Sequence, residues 1–149
     1  MTFQLVVGSM LMLMSIVMAG MFYLMIENSI AYLSGWLRRA PHSPKLLLVL
    51  SGAATAVLGQ ATISVWIWAS AFRWLDLFPA WEPAVYFALT CFTTLGFGDV
   101  LLPPEWQLLG GLAATNGMLN FGFTTAVLVE TMRYIRKSQI EAKEPRLET

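Results

Sequence analysis

Charge is what this sequence has least of. Only 12% of its 149 residues are Asp, Glu, Lys or Arg, about half the share of an ordinary soluble domain, while 57% are hydrophobic. A soluble chain of this size has no interior large enough to hide that much apolar surface, so lipid is the expected solvent. The nine basic and nine acidic residues cancel, leaving no basic surface for nucleic acid. Cys91 is the one cysteine, so no intrachain disulfide is available. With a single histidine beside it, a zinc or haem site within one chain has too few ligands. His42 would have to carry any imidazole catalysis alone. It sits among Arg39, Pro41 and Pro44 in a polar connector and reads as a solvated loop histidine. Neither a cofactor nor an enzymatic activity is expected. No apolar run carries a ladder of arginines able to sense voltage, there is no internal repeat, and nothing resembles a separate ligand-binding domain.

What the chain does have is long apolar runs. Three can span a bilayer, which takes roughly 20 residues: residues 3–26 and 46–72, both uncharged, and 108–132, charged only at Glu130. The first is too long for a cleaved signal peptide and has no Lys or Arg ahead of it, so it is expected to stay as a helix. A fourth apolar segment, residues 81–94, is too short to cross and ends in Gly96-Phe97-Gly98-Asp99. Such a segment reads as a re-entrant helix, and non-helical backbone at membrane depth is tolerated only inside protein or along a water-filled cavity. The basic residues set the orientation. Arg38, Arg39 and Lys45 lie in the first connector. Arg133, Arg136, Lys137, Lys143 and Arg146 follow the last span, against Arg73 alone in the other connector. The expected topology has the N-terminus outside and the C-terminus in the cytoplasm. Trp66, Trp68, Trp74, Trp81 and Trp106 are expected to form an outer interfacial belt, with Trp36 at the inner face.

The chemistry is concentrated in residues 94–99. A cation that enters a narrow pore must exchange its water for protein oxygens of similar field strength. Stacked rings of backbone carbonyls do this where several chains meet on one axis. Successive carbonyls can face one side only if the backbone takes angles that glycine adopts at little cost, which explains Gly96 and Gly98. Thr94 would add its hydroxyl as the innermost ring. Leu95 and Phe97 would pack behind the strand, and Asp99 would stand at the outer mouth. Ahead of this strand, Glu82 and Pro83 suit the first turn of a helix over residues 84–93. The negative C-terminal end of that helix would point at the membrane centre.

Thr94-Leu95-Gly96-Phe97-Gly98-Asp99 resembles the selectivity filter of the potassium channel superfamily, Thr-Val-Gly-Tyr-Gly-Asp, with leucine and phenylalanine replacing valine and tyrosine. Similar variants occur in tandem-pore channels. The resemblance extends over about residues 46–133. Within 114–126, Gly117 matches the hinge glycine of the inner helix, and Phe121-Gly122 resembles the pair below it. Thr90 stands where some bacterial channels carry a glutamate that partners the position of Asp99.

The resemblance implies an all-α membrane fold: three transmembrane helices plus a re-entrant pore helix and filter, four chains to a pore. Potassium would be held at Thr94, Leu95, Gly96 and Phe97, with Gly98 completing the filter. Residues 1–45 form an added N-terminal helix and connector, 46–133 the pore domain, and 134–149 a short cytoplasmic tail. Asn116 and Asn120 share a helix face and either line the cavity or bond between helices. Gly117 is a gating hinge or a close-packing site, and Thr125 a cavity-lining residue. Glu130 either rings the inner mouth or pairs with Arg133. Asp76, Glu82, Asp99 and Glu105 would give an anionic outer vestibule. The expected partners are three further copies, lipid and potassium, in a bacterial inner membrane. Two rival functions remain open: a weakly selective cation channel, and an accessory subunit that conducts nothing alone.

Overall fold

A computed structural model describes residues 1–37 and 43–141, which form four α-helices: α1 (Thr2–Leu37), α2 (Ser43–Trp74), α3 (Trp81–Phe92) and α4 (Gln107–Glu141). A 3-10 turn over Pro104–Trp106 leads into α4, and no strand occurs among the described residues. Arg38, Arg39, His42, Lys143, Pro145 and Arg146 lie outside them, as does the side chain of Trp36.

Three helices are long and apolar enough to cross a membrane, over Thr2–Leu33, Leu47–Trp74 and Pro104–Lys137. Each helix runs past the apolar stretch that announces it. Glu27 and Asn28 extend α1 without breaking it, and α4 continues through Arg133, Arg136 and Lys137. Hydropathy marks where a helix meets lipid, whereas the helix itself ends only at a breaker or a cap. α2 ends in such a cap. Leu77 N–H donates to the Phe72 carbonyl, Asp76 N–H to that of Arg73, and Asp76 takes φ 57°, the left-handed closure common at helix ends.

α1 and α4 run parallel. Gln4 bonds the carbonyl of Glu105, Gly8 lies against Leu112, Ser15 meets Asn116, and Tyr23 stacks edge-on against Phe123 with centroids 6.3 Å apart. α2 runs antiparallel to both, its Ser64 meeting Ser15 and its Gln60 meeting Asn120. α3 packs between α2 and α4. At 12 residues it is only about 18 Å long, too short to cross. Glu82 stands in its first turn as expected. Pro83 falls at the third position, where the missing N–H still has no helical acceptor to lose.

The larger core joins Trp68, Ala69 and Phe72 of α2 to Ala84, Phe87, Ala88 and Phe92 of α3 and to Leu109 and Ala113 of α4. Phe72, Phe78 and Phe87 close on one another with centroids 5.3 to 6.2 Å apart. One member of the expected tryptophan belt belongs to this core. Trp68 is 1% exposed, whereas Trp66, Trp74 and Trp81 are open at the surface. The reason is helical spacing: Trp68 shares the inward face of α2 with Ser64 and Phe72, which lie four residues to either side. A smaller core at the opposite end holds Ile26, Ile30, Ala53 and Val127.

Candidate functional site

Between α3 and the 3-10 turn that leads into α4 the chain runs without regular structure, and over residues 94–98 its backbone alternates. Thr94, Gly96 and Gly98 take φ of 58°, 49° and 77°, while Leu95 and Phe97 between them stay out of the positive-φ region. Alternation of positive-φ residues with residues of ordinary φ allows successive carbonyls to face a common side, the arrangement that a ladder of cation sites requires. Glycine accepts these angles readily. Thr94, being β-branched, is an outlier there, and strain of this kind gathers at functional segments. Thr94 also turns the chain out of α3, its N–H donating to Cys91 O at 2.9 Å. Gly96 N–H returns to the Thr90 carbonyl at 3.3 Å, folding the segment back over the helix end.

Residues 94–99 are all exposed in the single chain. Leu95 and Phe97, expected behind the strand, are 60% and 67% exposed, so their own chain covers them only in part.

Asp99 uses both carboxylate oxygens. Tyr86 Oη donates to Oδ2 at 2.6 Å, and Val100 N–H donates to Oδ1 at 3.0 Å. The Tyr86 bond holds the Asp99 carboxyl below its usual range, and the same bond pushes the Tyr86 phenol up. With Thr90 in the place of the glutamate that some bacterial channels carry, the sequence names no partner for Asp99, and Tyr86 supplies it. The Thr90 hydroxyl is turned into its own helix, donating to Phe87 O at 3.0 Å, and the residue is buried. The available signal was spacing: Tyr86 lies four residues before Thr90 on α3 and its longer side chain can reach the mouth of the segment.

On α4, Asn116 and Asn120 are 0% and 3% exposed. Asn116 Nδ2 donates to Ser15 and Ser64 at 3.3 Å, Asn120 Nδ2 to Asn116 Oδ1 at 3.2 Å, and Gln60 Nε2 to Asn120 Oδ1 at 2.7 Å. Of the two roles open to these asparagines, this geometry is that of bonding between helices; neither faces open space. Gly117 is equally enclosed: a Cβ there would fall on the backbone of Phe92, at its carbonyl oxygen, carbonyl carbon and Cα. Close approach of α4 to the end of α3 is therefore a sufficient reason for glycine at 117. Thr125 lies on the exposed face, its hydroxyl donating to Phe121 O at 2.9 Å. That face is continuous: Gly111, Thr115, Met118, Gly122, Thr125 and Val129 are all open and recur at steps of four and three.

At the far end, Glu130 and Glu27 line a cavity of about 160 Å³ with Tyr23 and Tyr134. At the near end, Arg73 donates to the Phe78 carbonyl and lies 5.9 Å from the Trp81 ring centroid, tying the α2–α3 connection to the start of α3. No cluster of three or more His, Cys, Asp or Glu able to hold a metal occurs among the described residues.

No curated protein and no solved structure matches the chain. A family model described as an ion channel matches residues 60–134, from the middle of α2 to the last third of α4, and takes in α3 and the alternating segment while leaving α1 outside. With that match over half of its length, the chain belongs to the two-transmembrane, potassium-channel-like ion channel family.

Proposed function

We propose that four copies of this chain form a pore that conducts potassium passively down its gradient, with the carbonyls of Thr94, Leu95, Gly96 and Phe97 as the ion-coordinating rings. The observation that carries this reading is the alternating backbone of residues 94–98 in an ion channel chain. Carbonyl rings replace the hydration shell of the ion, and they need several chains around one axis because each chain supplies a single strand. The exposure of Leu95 and Phe97 supports the same reading, since both are apolar side chains that a neighbouring copy would cover.

In this assembly α3 is re-entrant. Its C-terminal end, which carries roughly half a negative charge, is aimed with three others at a central cavity and favours a cation there. Thr125 lines that cavity. Asp99, held ionised by Tyr86, sits at the outer mouth and draws cations in. The basic residues at the end of α4 and in the first connector face the cytoplasm, so the N-terminus is outside, in a membrane of the bacterial inner type. The added helix α1 stands at the lipid side, where its exposed methionines and leucines meet acyl chains.

Purified protein in liposomes, with potassium on one side and sodium on the other, tests this reading. A reversal potential near the potassium limit supports it. Currents that reverse near zero make the pore a nonselective cation channel, and a chain that neither tetramerises nor passes ions is an accessory subunit.

A further inference from the structure

The helix that lies outside the family match is bonded, at its most enclosed polar side chain, to the helix that carries Gly117. Ser15 of α1, Ser64 of α2 and Asn116 of α4 are each 0% to 1% exposed. The two hydroxyls bond to each other, and Asn116 Nδ2 donates one hydrogen to each at 3.3 Å. Asn116 Oδ1 accepts from Asn120, and Asn120 Oδ1 accepts from Gln60 at 2.7 Å. Both amide hydrogens and the carbonyl oxygen of each asparagine are engaged. A buried network with its amides engaged in this way is rigid and resists partial disruption.

Successive residues of an α-helix point about 100° apart. Asn116 therefore faces α1 and α2, Gly117 lies on the Phe92 backbone, and Met118 is 65% exposed. Fixing Asn116 fixes all three directions. Rotation of α4 by a few tens of degrees would part Asn116 from Ser15. The same rotation would drag Gly117 across Phe92, the last residue of α3 and two residues ahead of Thr94.

We propose that α1 is a working part of the pore. Ser15, acting through Asn116, is a positioning residue that holds α4 at the rotation seating Gly117 on Phe92, and so biases the equilibrium between open and closed forms. The proposal rests on the reading of residues 94–98 as the conducting segment.

Interhelical hydrogen bonds in membranes shift an equilibrium by about threefold on average and by about twentyfold at the upper end. Ser15→Ala removes one hydroxyl at nearly constant volume and leaves Ser64 to accept from Asn116. In single-channel recordings it should shift the open–closed equilibrium constant by about threefold or more. Ser15→Ala combined with Asn116→Ala should shift it no further than Asn116→Ala alone. Thr62→Ala is the control: its hydroxyl sits on the exposed face of α2 and bonds only to Leu58 O of its own helix, so it should leave the equilibrium unchanged.

A second readout needs no ion flux. In a Cys91→Ala background, the rate at which a thiol reagent labels Met118→Cys should change by a similar factor when Ser15→Ala is added. A protein that conducts nothing would sink the potassium reading and leave this test intact. Equal labelling rates with and without the Ser15 hydroxyl, or an unchanged gating equilibrium in a conducting preparation, overturn the proposal.

Discussion

Gly117→Ala sets a helix former against a wall of backbone. In an open helix the change from glycine to alanine stabilises by about 0.8–1 kcal/mol. At 117 the new Cβ falls on the Phe92 carbonyl oxygen, carbonyl carbon and Cα. No rotamer relieves that contact, so α4 or α3 must move as a body, and overpacking of this kind costs typically about 1–3 kcal/mol, at the upper end where no side chain can yield. The net loss at 117 is about 2 kcal/mol. Gly52→Ala is the matched control. It is a helical glycine of α2 with nothing within 4 Å of its Cβ position, and it should keep the full gain. The same chemical change should thus separate the two variants by about 3 kcal/mol, or roughly 6–12 °C in thermal midpoint for a chain of this size. Thermal unfolding of the purified protein in one detergent reads the difference directly. Equal midpoints would refute the close-packing account. A Gly117→Ala protein with the parental midpoint and lost flux would mark Gly117 as a hinge instead.

Other perturbations discriminate among the remaining parts. Gly96→Ala and Gly98→Ala force an L-residue to φ 49° and 77°, costing about 1–2 kcal/mol each; flux should vanish while size-exclusion shows the same assembly, and intact flux would remove residues 94–98 from the pathway. Tyr86→Phe removes the donor to Asp99 and should raise the pH at which flux is lost on acidification. The sign follows from the shifts. Asp99 is depressed in the fold, so its contribution is present above the ordinary carboxylate range near about 4 and is lost as pH falls through the depressed value. Tyr86 is raised, so its contribution is complete below about 10 and is lost as pH rises through the raised value. An unchanged acid limb in Tyr86→Phe would show that the bond does not govern the mouth. Asn120→Leu leaves the buried Gln60 amide without its acceptor and should destabilise the fold by about 1–3 kcal/mol, read as a lowered thermal midpoint with Thr62→Ala as the neutral comparison.

The sequence revealed the spans, the short third helix and the special backbone of residues 94–98 because each rests on local physics: apolar run length and glycine placement. Phe97-Gly98-Asp99 closing a short apolar segment needs no tertiary information to be noticed. What stayed hidden depends on which helix face meets which neighbour. Trp68 reads as an interfacial tryptophan until α2 is rotated so that it points at Phe72 and α3. Asn116 and Asn120 share a face in any helix, but only the parallel packing of α1 on α4 brings Ser15 to them. Gly117 resembles a hinge, and only the approach of α3 shows that it also marks a contact with backbone. Tyr86 shares the helix face of position 90 by spacing, but that its phenol meets Asp99 depends on how residues 94–99 fold back over α3.

The central claim is that carbonyls of residues 94–97 coordinate potassium in an assembled pore. The most direct measurement is the reversal potential of currents through the purified chain in planar bilayers, with potassium on one side and sodium on the other. The account predicts reversal close to the potassium equilibrium limit for the unaltered protein and no current for Gly98→Ala. Reversal near zero, or a current that survives Gly98→Ala, would contradict it.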